Sequence, residues 1–324
     1  MSLVVSGIKP SGELHIGNYL GAVKQFLELQ GKYDCFFFIA DLHSLTEDFT
    51  PEQKRIQIRD IVINLLALGL DPKKCTLFIQ SHVPECLELA WIFNCLTPVS
   101  FLERMTQYKD FKVRQKAGAN AGLLTYPVLQ AADVLLYRGT LVPVGKDQIQ
   151  HLELTNDIVG FFNNRFGEYF ERVKPLMTEA PKVISITEPE KKMSKSLGPK
   201  TYIALRDEPQ IILEKIKRAP TGMGNERTIP PGAQNLLELL RHFAAGSDFR
   251  RFSTEAKDGT IRYSELKETL ARSIADFFSD FRTRRMALEK EDSKINKILE
   301  TGAKKAKTVA TKTLREVKDR VGLI

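Results

Sequence analysis

Two short segments hold side chains whose types and spacing suit the handling of phosphate. The first, Pro10-Ser11-Gly12-Glu13-Leu14-His15-Ile16-Gly17-Asn18, follows a short apolar run and opens a stretch with helical spacing. A helix that starts at the carboxyl end of a strand presents free N–H groups and the positive end of its dipole to an anion. His15 and Asn18 can each donate a hydrogen bond to phosphate oxygens or a sugar, and Gly17 puts no Cβ between a purine or ribose and the backbone. Taken alone, a histidine and a glycine one residue apart recur by accident, and a capped helix with an incidental histidine accounts for them as well.

The second segment is Lys192-Met193-Ser194-Lys195-Ser196, in a loop with Lys191 before it and Gly198-Pro199 after it. Two lysines with two residues between them, and hydroxyls between and after, can clamp a polyphosphate from one side while a loop closes over it. A given five-residue string arises in a chain this long with a probability on the order of 10⁻⁴, which weighs against a merely solvated basic loop. A third candidate is a single carboxylate: Asp133 stands in the otherwise apolar run Ala131-Ala132-Asp133-Val134-Leu135-Leu136, where an unpartnered charge is costly.

The elements that must position these groups alternate. Strand patterns fall at 3–6, 35–40, 76–80 and 141–144, and helical spacing runs from 15 through 27, over 51–68, after 84, over 128–136 and over 148–162. Such alternation predicts the α/β class, a parallel sheet with helices on both faces. After the loop at 191–199 the strand signal fades and helical patterns dominate, at 235–244, 263–285 and the chain end. The expected division is therefore an α/β domain over 1–204 and an all-helical domain over 205–324.

Composition narrows the class. Of 324 residues, 43% are hydrophobic and 27% charged, which is globular and not disordered or collagen-like. The longest apolar runs fall short of the ~18 residues that span a bilayer, and the N-terminus has neither a basic region nor an apolar run of secretory length. A cytoplasmic protein without membrane association is expected. Cys35, Cys75, Cys86 and Cys95 show no metal or disulfide spacing, so buried free thiols and no metal-ligand cluster are expected. The net charge of +8 is moderate. From 303 to 324, however, seven basic residues (Lys304, Lys305, Lys307, Lys312, Arg315, Lys318, Arg320) face two acids on an amphipathic helical pattern. That pattern reads either as a solvated face or as a contact for nucleic acid phosphates.

Taken together, the two phosphate segments make the chain resemble a class I aminoacyl-tRNA synthetase, with that class's H-I-G-H-type signature read as His15-Ile16-Gly17-Asn18 and its K-M-S-K-S signature at 192–196. Three blocks, GIKPSGELHIGNYLGA at 7–22, LTYPVLQAADVLLY at 124–137 and VPVGKDQIQHLELT at 142–155, are similar to those of the tryptophanyl-tRNA synthetases of bacteria and mitochondria. The likeness extends over essentially the whole chain. The tyrosyl enzymes share the fold but not the wording of the first and third blocks.

What this resemblance implies is a Rossmann-like catalytic domain with its lysine loop at 191–199, followed by a helical domain that binds the tRNA anticodon. It implies ATP and Mg²⁺, L-tryptophan and tRNA(Trp) as partners, and a homodimer. The tryptophan carboxylate attacks the α-phosphate of ATP, and the acyl group then moves to the 2′-hydroxyl of the terminal adenosine of the tRNA. Such chemistry asks for positioning and charge neutralisation rather than a protein nucleophile.

By the same resemblance, Lys192 and Lys195 hold the pyrophosphate, His15 and Asn18 the triphosphate, and Gly17 the adenine face. Asp147 meets the ribose, and Lys112, where the match needs a one-residue shift, is a phosphate contact. Lys9, Ser11, Gly145, Met193 and Ser194 are carried over as further nucleotide contacts. For the amino acid, Asp133 accepts the indole N–H, Tyr126 and Gln148 meet the α-amino group, and His43, Val142, Val144 and Gln130 shape the pocket. The chain departs from the family pattern at Lys146, Asn156, Val5 and Gln130, and at Leu197-Gly198 after the lysine motif. A tyrosine-specific relative and a non-catalytic RNA-binding paralogue are the alternatives; the intact histidine and lysine motifs argue against the second.

Overall fold

The computed structural model describes residues 2–106, 108, 120–145, 148–177, 181, 183–222 and 228–324. Five strands form one sheet: β1 (Leu3–Ile8), β2 (Asp34–Ile39), β3 (Thr76–Ile79), β4 (Leu141–Val144) and β5 (Lys174–Met177). Their order is β3-β2-β1-β4-β5 and every pairing is parallel. This is a Rossmann-like sheet, in which strand order reverses at β1 and the crevice beyond the carboxyl ends is the expected ligand position. β2 carries Phe36, Phe37 and Phe38 in succession, all buried, as a strand covered on both faces requires.

The helices are α1 (Ile16–Asn18), α2 (Lys24–Leu29), α3 (Pro51–Leu68), α4 (Glu85–Asn94), α5 (Val99–Glu103), α6 (Ala121–Leu135) and α7 (Ile149–Phe166). They continue with α8 (Pro209–Lys217), α9 (Pro231–Phe243), α10 (Gly246–Asp258), α11 (Tyr263–Phe277), α12 (Ser279–Leu288) and α13 (Asp292–Val321). A π-helical turn, Tyr19–Val23, joins α1 to α2. Local chemistry sets several boundaries. Thr50 and Gln53 form a reciprocal capping box with Pro51 in the first turn, and α3 ends at Gly69 with φ +107°, a conformation that suits glycine.

Packing divides the chain into two units that differ from the 1–204 and 205–324 expectation. A sheet unit comprises 1–12, 25–179 and 291–324, and a helical unit comprises 13–24 and 180–290. Within the helical unit the His15 segment is tied by backbone to 203–205: Ile16 N–H donates to Ile203 C=O at 3.0 Å and Leu205 N–H to Leu14 C=O at 2.9 Å. Tyr19 packs edge-on against Phe278 at 5.1 Å between ring centroids. Within the sheet unit, the small residue Gly302 brings α13 onto β3, where a Cβ would stand 1.9 Å from the Leu77 carbonyl oxygen. Ala306, Ala310, Leu314 and Val317 of α13 then join the core built around Val5, Phe36 and Phe78. The final helix thus belongs to the sheet, not to the helical bundle.

Other expectations shift by smaller amounts. The edge strand β5 has no alternating apolar pattern and contains Pro175, which the sheet edge tolerates. The helix expected at 128–136 begins at Ala121, capped by Asn120, and includes Pro127. The segment 263–285 breaks at Phe278 into α11 and α12. Cys35, Cys75 and Cys86 are buried free thiols, whereas Cys95 is exposed.

Candidate functional site

A cavity of about 300 Å³ opens in the sheet unit at the carboxyl ends of β1 and β2, at the low end of the usual range for small-molecule pockets. Gly7 and Phe38 form part of its wall. Their closeness explains the glycine, because a Cβ at Gly7 would lie 2.5 Å from the Phe38 ring. His43 and Thr46 enter from the short turn after β2; Leu123, Tyr126, Gln130 and Asp133 enter from α6. Gln148 comes from the start of α7 and Lys9 from the end of β1.

Asp133 is the chemical centre of this cavity. It is only 1% exposed, and the cost of burying a carboxylate is met by two partners. Gln80 Nε2 donates to both Oδ1 and Oδ2 at 2.8 Å, and His43 Nε2 lies 2.7 Å from Oδ2. Burial pushes the carboxyl pKa up, while the hydrogen bonds from His43 and Gln80 pull it back down. Oδ2 therefore meets both His43 and Gln80, whereas Oδ1 meets Gln80, so Oδ1 retains acceptor capacity for a donor arriving in the cavity. Tyr126 O–H pairs with His151 Nε2 at 2.7 Å, and burial drives its phenol pKa up. The tyrosine is accordingly a neutral hydroxyl at physiological pH.

In the helical unit, His15 caps α1. Its Nδ1 accepts from the Asn18 N–H at 3.3 Å, and the His15 N–H donates to Asn18 Oδ1 at 3.1 Å. An accepting Nδ1 assigns the proton to Nε2, which makes the imidazole a neutral donor. Burial holds the His15 pKa down to about 4, with the cations of Lys195 and then Lys192 adding to the effect. Asn18 uses its carbonyl oxygen in the cap, which leaves its NH₂ to donate outward. Gly17 makes room for the imidazole itself, since a Cβ would stand 2.9 Å from His15 Nδ1.

The lysine motif is pinned at its middle and open at its ends. Met193 is 3% exposed and donates its N–H to Val183 C=O at 2.9 Å, so its side chain is an anchor rather than a surface contact. Lys192 is exposed and Lys195 half-buried. Ser194 Oγ lies 2.9 Å from Ser196 Oγ, and Gly198, at φ +97°, turns the chain. The result is a pair of cations held on a short turn.

The structure thus gathers Lys9, His43, Tyr126, Gln130, Asp133 and Gln148 about one cavity, and His15, Gly17, Asn18, Lys192 and Lys195 in one cluster of the helical unit. Val142 and Val144 are buried in β4 and are not among the cavity's lining residues, contrary to expectation. Lys9 is engaged with Glu47 at 2.6 Å, Ser11 is exposed, and Gly145 follows β4. Lys112, Lys146 and Asp147 lie outside the described residues. Sequence reasoning missed Gln80, Thr46 and Phe38. Gln80 left a signal: it is the polar residue closing the apolar run Thr76-Leu-Phe-Ile, at the end of a parallel strand where ligand sites gather.

A parallel sheet with this order, a cavity beyond its carboxyl edge and a histidine-capped helix next to a lysine turn define a nucleotide-dependent α/β protein. A family model described as tRNA synthetases class I (W and Y) matches residues 2–279, and the chain belongs to that family. It is 44% identical over 329 residues to tryptophan--tRNA ligase 2 of Streptomyces avermitilis, covering 99% of this chain and 97% of that protein. It is 43% identical over 330 residues to tryptophan--tRNA ligase of Caldanaerobacter subterraneus subsp. tengcongensis, covering 100% and 99%. Among solved structures, tryptophanyl-tRNA synthetase from Campylobacter jejuni complexed with ADP and tryptophan is similar at a TM-score of 0.88 and 33% identity, covering 99% of this chain and all of that one.

Proposed function

We propose that this chain is a tryptophan--tRNA ligase that activates L-tryptophan with ATP and transfers it to the 2′-hydroxyl of the terminal adenosine of tRNA(Trp). The observation that carries the substrate is the buried Asp133 carboxylate on the cavity wall, pre-oriented by Gln80 and His43 and with Oδ1 able to accept one more hydrogen bond. An indole N–H supplies that donor. Gln148 and the Tyr126 hydroxyl meet the amino acid's ammonium group, and Gln130 and His43 bound the ring.

On the nucleotide side, His15 Nε2–H and the Asn18 amide donate to triphosphate oxygens, and Lys192 and Lys195 neutralise the charge that grows on the leaving pyrophosphate. An interaction made mainly in the transition state raises the rate rather than the affinity. Ser11, Gly145, Ser194 and Asp147 add nucleotide contacts, and Lys112 a phosphate contact. Among the described residues no group of three or more His, Cys, Asp or Glu could hold a metal ion. Mg²⁺ enters as part of the ATP substrate, held by its phosphates.

Helices α8 to α12 form the tRNA anticodon-binding part. The protein works in the cytoplasm, where translation takes place; no helix among the described residues is long and apolar enough to cross a membrane. It acts as a homodimer, and Leu87 and Trp91, exposed one turn apart on α4, offer an apolar face for a second copy. Trp91 is the chain's one tryptophan, so dilution of a dimer through that face should red-shift its emission.

ATP–pyrophosphate exchange run in parallel with tryptophan and tyrosine tests the central reading, followed by charging of tRNA. Exchange with tryptophan far above tyrosine is expected. Faster exchange with tyrosine reverses the substrate assignment, and none with either makes the chain a non-catalytic paralogue.

A further inference from the structure

A second cavity, of about 340 Å³, opens in the sheet unit where α13 crosses the start of β3. Strand direction puts it at the amino edge of the sheet, whereas the Asp133 cavity opens at the carboxyl edge. Its walls come from two elements. Lys73 and Lys74 lie on the segment leading into β3, Thr76 is the first residue of that strand, and Lys294, Lys297 and Lys305 come from α13. Among the described residues, five lysines line it and no carboxylate does.

The counter-charges nearby are few: Asp71 spends Oδ1 on the Lys73 backbone N–H at 2.9 Å, and two others stand at the outer limit of an ion pair. Lys294 Nζ is 3.8 Å from Glu291, and Lys305 Nζ is 3.8 Å from Asp34. Among the described residues, Lys73, Lys74 and Lys297 have no acidic partner within salt-bridge distance. Ammonium groups gathered on a concave wall repel one another and raise the potential inside it. The close approach of α13 to β3 at Gly302 and the Leu77 backbone keeps the two lysine-bearing elements side by side. Thr76, 3% exposed on the same wall, has a hydroxyl oxygen without a hydrogen-bond partner. Ile298, Leu77 and Pro72, with Cys75 and Thr301, also line it.

We propose that this cavity binds a free, compact oligophosphate whose adjacent phosphate groups are met by Lys73 and Lys74 from one side and Lys297 from the other. Cations converging from two elements on one short concavity suit a small polyanion, whereas an RNA backbone tracks an extended groove. The site uses no residue assigned to tryptophan or ATP, so it stands apart from the proposed ligase reaction.

Titration calorimetry with inorganic tripolyphosphate tests it. A Lys192→Ala/Lys195→Ala background silences the other phosphate cluster. On that background one tripolyphosphate per chain is expected, and Lys73→Glu/Lys297→Glu should weaken it by at least tenfold, the scale of losing charge-assisted hydrogen bonds. Lys73→Gln/Lys297→Gln, which removes the charge without reversing it, should weaken it less; if the reversed variant fails to fold, this pair decides. In the otherwise native protein, neither pair should alter tryptophan-dependent pyrophosphate exchange. Unchanged tripolyphosphate affinity overturns the proposal. So does loss of tRNA affinity on charge reversal with no tripolyphosphate binding in the parent, since the lysines would then read RNA.

Discussion

Asp133 and His15 are both buried titratable groups, yet the two units bury them in opposite ways. Asp133 is surrounded by donors that favour its charged form against the pull of burial. His15 is held neutral, by burial and by two lysine cations that disfavour its protonation. On the proposed function the first arrangement serves recognition: a paired carboxylate with one acceptor position left over is costly to any ligand that brings no donor. On the same proposal the second serves the reaction, with a neutral donor close to positive charge that can act on a phosphate. The proposed recognition group is thus buried and pre-paired, whereas the proposed reacting charge is left accessible.

The largest expected effect breaks the recognition half. A site built around a hydrogen bond rejects analogues lacking the donor by about 10⁴ or more. In the native protein, exchange with tryptophan should therefore exceed exchange with an indole analogue lacking the ring N–H by about that factor. Asp133→Ala should reduce the ratio to within about tenfold while also lowering activity with tryptophan. Asp133→Asn keeps an acceptor oxygen and should retain part of the discrimination. Equal losses with every substrate would make Asp133 a structural residue.

Breaking the reaction half comes next. Removing one pre-organised donor to developing charge costs about 10² to 10³ in rate. Lys195→Ala should therefore slow adenylate formation in single-turnover kinetics by that order, with tryptophan affinity nearly unchanged. An unaltered first step would remove the lysine loop from the chemistry.

Gln80 sharpens the comparison because it acts through Asp133 rather than on the ligand. Gln80→Ala removes the donor shared by both carboxylate oxygens, which raises the Asp133 pKa further. Roughly tenfold loss in kcat/KM for tryptophan is expected, and the acid limb of its pH profile should move to higher pH. Gln80→Met, close in shape but with no donor, should behave like the alanine variant, whereas a merely structural role would leave the limb in place.

A quieter test addresses His15 itself. Nuclear magnetic resonance of the histidine ring should find it neutral down to about pH 4. Lys195→Ala should raise that value, though burial, the larger cause, should keep it below 6.5. The linkage has a definite sign. Between pH 6.5 and about 4 the unfolded chain binds a proton that the folded chain refuses, so stability falls as pH drops through that window and is unaffected above it.

Legibility followed the kind of bond involved. β1 to β4 and the loop at 7–12 were readable because apolar runs and glycines mark them. β5 was not, since an exposed edge strand with Pro175 needs no alternation. The membership of 13–24 in the helical unit rests on backbone bonds from Ile16 and Leu205, which leave no trace in side-chain type. The docking of α13 on the sheet rests on Gly302 and a line of alanines, residues that any helix uses. In the cavity, Lys9, His43, Tyr126 and Asp133 were legible as chemistry, whereas Phe38 read only as part of an apolar strand. Gln80 left only its position at the end of β3, because a buried amide looks ordinary until its partner is known.

The smallest effect concerns the basic face of α13. Expecting Lys304, Lys305, Lys307 and Lys312 to act alike on tRNA treats the helix as a free surface. Packing separates them: Lys305 lies 3.8 Å from Asp34 and Lys307 4.0 Å from Glu85, while Lys304 and Lys312 have no ion pair among the described residues. A lysine already facing a carboxylate releases fewer counterions on meeting a phosphate. Salt dependence falls by about one unit of slope for each phosphate that is no longer neutralised, so Lys304→Gln/Lys312→Gln should flatten the tRNA-binding slope more than Lys305→Gln/Lys307→Gln. Tryptophan-dependent exchange should be unchanged in both. Equal and substantial flattening by the two pairs would mean that the Asp34 and Glu85 ion pairs open when tRNA binds. No flattening from either would return the helix to a solvated face.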